Sequence, residues 1–131
     1  MKLSVIREVR TNNFNDSEII NKIQTLWNDS MQDIQKLNYK GNIYGVYHKY
    51  ESNYKGDYTV SIMIEDNKKG IELSLENYKI FNEEKTDKES VFLTWHKIWK
   101  LEEDGKLHRA YTYDFEKYDP SGRIEIYIKE K

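Results

Sequence analysis

The chain has 131 residues, of which 34% are charged, and its formal net charge is only −2 with both signs interspersed. That balance offers no basic face for neutralising phosphates, so direct nucleic-acid binding is not expected. Cysteine is absent, which excludes a disulfide framework, thiolate metal sites and a cysteine nucleophile, and suits a reducing cytosol.

No apolar run is long enough for a signal peptide or a membrane span, so the expectation is a soluble, cytoplasmic protein with no membrane association. No Pro/Gly/Ser-rich linker interrupts the sequence, which predicts a single domain over residues 1–131. Aromatic residues reach 14%, with eleven Tyr, three Trp and four Phe. Tyrosine combines apolar area with a polar tip and suits walls that are wet part of the time. About half of these rings are expected to be plain core.

In chain order, Leu3 to Arg10 reads as a strand and residues 12–16 as a break. Asn15 with Glu18 resembles a capping box, after which Ile20, Ile23, Trp27, Met31 and Ile34 recur at helical spacing, with Trp27 in the core. Gly41 ends that region. Ile43 to Glu51 reads as a strand with tyrosines on both faces, residues 52–56 as a turn, and Tyr58, Val60, Ile62 and Ile64 as one face of the next strand. The polar stretch Glu65 to Gly70 is a junction, and Ile71 to Phe81 reads extended. Thr86 with Glu89 offers a second capping box, and Val91, Phe92, Trp95, Ile98 and Trp99 form an apolar stripe ending before Gly105. Arg109 to Ile128 closes the chain as a hairpin around Asp119-Pro120-Ser121-Gly122, the residue order of a type I turn.

Strand, helix and hairpin therefore occur twice, in halves of about 1–64 and 70–131. The predicted fold is α+β, a duplicated β-α-β-β unit whose antiparallel sheet carries two helices on one face and a ligand groove on the other. If Tyr111, Tyr113 and Phe115 pack on the helix, Thr112, Asp114 and Glu116 face the groove, joined by Tyr118 and by Tyr127 across the hairpin. The same parity brings Tyr47 and Glu51 there from the first half, giving two pseudo-symmetric carboxylates among tyrosine rings. Such a groove suits an organic cation with flat apolar parts, each ring face contributing about 0.5–2 kcal/mol.

Other chemistries have little support. His48, His96 and His108 are scattered without metal-ligand spacing, so no metal is expected and each reads as a packing or surface residue. No phosphate-binding glycine loop and no nucleophile motif is present.

Ile43-Tyr44-Gly45-Val46-Tyr47 with Tyr50-Glu51, the Thr94-Trp95 and Ile98-Trp99 pairs, and Arg109 to Tyr118 with Glu125-Ile126-Tyr127-Ile128 together resemble the GyrI-like effector-binding domain, most closely its stand-alone and integron-cassette forms. The resemblance covers essentially the whole chain. It implies a two-repeat β-α-β-β fold, no cofactor, and a central groove that binds hydrophobic, often cationic, drugs and dyes through an acidic residue matching Glu116. Trp95 and Trp99 join Glu116, Tyr118, Tyr127, Tyr47 and Glu51 as candidate ligand-binding residues. In multidomain relatives this domain is the sensor of MerR- and AraC-type regulators. Here the sequence opens on the first strand, so any regulation would need a separate DNA-binding partner.

Two further classes remain as alternatives. Some GyrI-like proteins hydrolyse strained electrophilic rings of cytotoxic compounds, and in that role Glu116 would be the general base. An adaptor that sheathes another protein, such as gyrase, would instead present a large exposed apolar patch, which this charge-peppered sequence does not suggest.

Overall fold

The computed structural model describes residues 1–66, 68–82 and 88–131. Its elements are β1 (Lys2–Thr11), α1 (Ile19–Lys36), β2 (Ile43–His48), β3 (Tyr58–Glu65), β4 (Ile71–Glu72), β5 (Tyr78–Asn82), α2 (Lys88–Glu103), β6 (Asp114–Tyr118) and β7 (Ile124–Lys129). The strands form one sheet in the order β4-β1-β3-β2-β6-β7-β5, and every pairing between them is antiparallel. Apart from the short edge strand β4, this order is symmetric. β1-β3-β2 with α1 is answered by β5-β7-β6 with α2, and β2 and β6 pair along the seam. The expected α+β architecture of two helices on an antiparallel sheet is what the chain adopts, with the sheet curled.

Apolar residues line both faces of the sheet. On the helix side, Leu26 and Ile34 of α1 pack on Val60, Ile62 and Ile64 of β3, and Ile98 of α2 packs on Ile126 and Ile128 of β7. On the far side, Leu3, Tyr44, Val46, Met63, Leu73 and Phe115 form a separate cluster. Strand β3 is therefore buried on both faces over its whole length except Glu65. β1 serves both clusters because a bulge between Val5 and Arg7 reverses its phase. Leu3 joins the far side, and Val9, opposite Val60, joins the helix side.

Several local expectations need correction. Ile71 to Phe81 is not one strand. It splits into β4, which pairs with β1 at one sheet edge, and β5, which pairs with β7 at the other. Leu73 of the intervening crossover belongs to the far-side cluster, and Tyr78, the first residue of β5, packs against it. Asn77, with φ 60, supplies the reversal before β5. The expected Asn15–Glu18 capping box is absent from α1, whose N-cap Glu18 makes no side-chain cap bond. Asp16 takes that place, its carboxylate accepting the Glu18 N–H at 2.9 Å and its carbonyl the Ile19 N–H at 3.2 Å. The second proposed box rests on Thr86, which lies outside the described residues, as does Asn67 of the junction.

Candidate functional site

The centre of the site follows from the seam. β2 and β6 pair from Ile43 with Tyr118 to Tyr47 with Asp114, and the middle pair of that ladder is Gly45 with Glu116. The pseudo-twofold axis therefore passes between these two residues. Tyr47 lies two positions beyond Gly45, and Tyr118 two positions beyond Glu116, so the two tyrosines are symmetry mates. Each meets the tryptophan of a helix. Trp27 of α1 stands edge-on to Tyr118 at 5.0 Å and 72°, and Trp95 of α2 stands edge-on to Tyr47 at 5.0 Å and 65°.

Glu116 is enclosed by this frame and only 4% exposed. Tyr47 donates to its Oε2 at 3.0 Å and Trp95 Nε1 donates to the same oxygen at 2.7 Å, while Tyr118 donates to Oε1 at 2.6 Å. No Lys, Arg or His among the described residues forms an ion pair with it. Burial pushes the carboxyl above the ordinary range, and the three donors, Tyr118 foremost, pull it back only in part. In turn, burial and the nearby Glu116 charge hold the Tyr47 and Tyr118 hydroxyls well above the usual phenol range, so both remain donors.

A cavity of about 1040 Å³ lies over Glu116 between the two helices. Ile19, Ile23 and Trp27 wall it from α1, and Val91, Trp95 and Trp99 wall it from α2. Tyr54 stacks on Trp99 at 5.3 Å and closes one end. Ile20 and Phe92 stand at its mouth, 69% and 60% exposed. Glu116 is the only carboxylate among the described lining residues, and Arg109 the only base.

Arg109 has its own partner. Its side chain and that of Asp114 are 1% and 0% exposed and meet at 2.8 Å. Asp114 also accepts from Tyr50 at 2.6 Å and from the Lys129 N–H at 2.8 Å, and the guanidinium lies 4.4 Å from the centre of the Tyr111 ring. This pair braces the end of β6 and presents a neutralised cation to the groove.

Five of the seven candidate residues come together here: Glu116, Tyr118, Tyr47, Trp95 and Trp99. The groove itself opens on the helix side of the sheet, not on the opposite face. Alternation separates two faces without saying which one meets the helices, and here Glu116, not Phe115, is on the helix side. Tyr127 is on the far face, stacked on Phe115 at 4.6 Å and 14°. The connection 119–123 sets Tyr118 opposite Ile124 and Glu116 opposite Ile126, so Tyr127 falls beside Phe115. Glu51 is exposed in the loop after β2, because Lys49 at φ 52 ends the strand's alternation. The symmetry counterpart of Glu116 is Gly45, so the site has one carboxylate where two were expected. Thr112 is exposed and outside the strand, and Asp114 is committed to Arg109.

Trp27, expected as core, lines the groove, and Gly45 and Arg109 were not singled out at all. Gly45 had a readable signal, since a glycine inside a strand marks close approach of another group. A Cβ there would lie 3.2 Å from Trp27 Cζ2 and 3.4 Å from Glu116 Oε1. Gly45→Val is accordingly expected to displace Trp27 and to destabilise the fold by about 1–3 kcal/mol through overpacking. Urea unfolding checks it, and wild-type stability with unchanged tryptophan emission would place Trp27 elsewhere.

His48 is buried with Nε2 2.6 Å from Ser61 Oγ, and among the described residues no group of His, Cys, Asp and Glu could hold a metal ion. Among the described residues no helix is long and apolar enough to cross a membrane.

Comparison with curated proteins returned no match. Among solved structures, the integron cassette protein VCH_CASS2 from the mobile metagenome of Vibrio cholerae shares the fold, with a TM-score of 0.64 and 22% identity over 100% of this chain and 90% of that one. The family model described as Cass2, integron-associated effector binding protein, matches residues 5–128. With nearly the whole sequence inside that match, the chain belongs to the Cass2 family of integron-associated effector binding proteins, consistent with the GyrI-like effector-binding type.

Proposed function

We propose that this protein binds hydrophobic, cationic aromatic small molecules in the groove between α1 and α2, with Glu116 reading the charge. The observation that carries this reading is a buried carboxylate, without a counter-ion among the described residues, on the floor of an aromatic cavity. A buried charge is costly unless paired, and a ligand cation would be its missing partner. Trp27, Tyr47, Trp95 and Tyr118 would supply ring surfaces for the flat parts of the ligand. The breadth of the groove and the exposed Ile20 and Phe92 at its mouth suit several related compounds better than one, as in multidrug binding. The hydrolytic alternative asks Glu116 to take a proton from water while three donors occupy most of its acceptor positions, which favours binding over catalysis.

Trp27, Trp95 and Trp99 all line the groove and provide the signal for a test. Titration with cationic, neutral and anionic dyes of similar shape is expected to give affinities in that descending order. Equal or stronger binding of the anionic dye would contradict the proposal.

A further inference from the structure

We infer that the groove selects cations without N–H donors, quaternary ammonium or charge-delocalised aromatic cations, over primary ammonium ions of the same size. This rests on the reading of the groove as a cation site and adds what kind of cation it takes. A carboxylate offers about four acceptor positions. On Glu116, Tyr47 and Trp95 occupy both on Oε2, and Tyr118 occupies one on Oε1. One position on Oε1 remains, on an oxygen that a Cβ at Gly45 would approach to 3.4 Å. The charge of Glu116 is thus available to a ligand while its hydrogen-bonding capacity is nearly spent.

A primary ammonium carries three donors and a tight hydration shell. Entering the groove, it would give up water for at most one carboxylate position and for phenol oxygens whose orientation is fixed by their own bonds to Glu116. Buried donors left unmatched are costly. A quaternary or delocalised cation has no donors to satisfy and sheds water more easily. Its alkyl or aryl surface can pack against Trp27, Trp95, Tyr47 and Tyr118, the arrangement by which aromatic cages hold methylated ammonium groups.

The test uses one naphthylmethyl group carrying in turn a trimethylammonium, a primary ammonium or a neutral tert-butyl substituent, titrated into wild type, Glu116→Gln and Tyr118→Phe. In wild type the trimethylammonium compound is expected to bind about tenfold more tightly than the primary ammonium, the scale of one unmatched buried donor. Tyr118→Phe keeps the ring and returns one acceptor position on Oε1, so the ratio should shrink several-fold. If the primary ammonium binds as well or better, and both cations lose affinity in Glu116→Gln, the inference is overturned while the cation site stands. A preference for trimethylammonium that Tyr118→Phe leaves unchanged also overturns it, because acceptor saturation would not be its cause. If the neutral compound binds as tightly as the cations, the cation-site reading fails as well.

Discussion

Asp114→Ala is expected to lower folding stability by about 3–5 kcal/mol, the usual cost of leaving a buried ion without its partner. Arg109 and Asp114 are buried to within 1% of completeness, and the guanidinium already has Nε and Nη1 without hydrogen-bond partners. Its remaining carboxylate, Glu102, is 4.0 Å away and itself bound by the Tyr111 hydroxyl. Removing Asp114 would also strip an acceptor from Tyr50 and from the Lys129 N–H, loosening β6 against β7. Since domains of this size are stable by only about 5–15 kcal/mol, the variant should unfold at markedly lower urea. The double change Arg109→Met with Asp114→Leu should be milder than Asp114→Ala, because no orphan charge remains. A loss below about 1 kcal/mol for Asp114→Ala, the range of an exposed pair, would show that water reaches the guanidinium.

Acidification should weaken cation binding at a pH above that expected for an ordinary glutamate, because burial holds the Glu116 carboxyl above its usual range. Affinity for a permanently charged dye is then full above the folded-state pKa and falls as pH drops through it, as protonation removes the charge. The stability of the free protein should move the opposite way. Between the folded-state pKa and the unfolded value of about 4.3, the folded form holds the proton and the unfolded form does not. The Glu116 contribution to stability therefore grows as pH falls through that window and levels off below it. Other carboxylates work against this trend, notably Asp16, held down to about 2 by its bond to Lys22. The difference between wild type and Glu116→Gln isolates the single group. Dye titrations and urea unfolding across a pH series measure both curves, and a cation affinity flat through the carboxylate range would remove Glu116 from the site.

Much of the fold was legible because period-two alternation and turn residues mark the strands directly. β1, β3, the turn Asp119 to Gly122 and both helices lie where their patterns put them, while the first strand of the closing hairpin begins only at Asp114 and not at Arg109, after Tyr111 at φ 57. α2 stops at Glu103, just before Gly105 at φ 72, as the C-terminal glycine indicates. The orientation of the sheet was not legible, because both of its faces are apolar. Tyr44, Met63 and Phe115 make as good a core as Val60, Ile62 and Ile126, and only packing decides which set meets the helices. An acid within a strand ordinarily points away from the core. Glu116 points toward the helices because Tyr47, Tyr118 and Trp95 converge on it from three elements. The α1 stripe read from spacing likewise merges two faces: Ile34 is buried together with Leu26 and Ser30, which the stripe left out, while Ile20, Ile23 and Trp27 wall the groove.

The most direct measurement is a calorimetric titration of one cationic dye and one neutral dye of similar shape into wild type and Glu116→Gln at neutral pH. Loss of the carboxylate charge is expected to cost the cationic dye about 1–3 kcal/mol and to leave the neutral dye nearly unchanged. Equal losses for both dyes, or no loss for either, would mean that Glu116 holds the fold together and does not read the charge of a ligand.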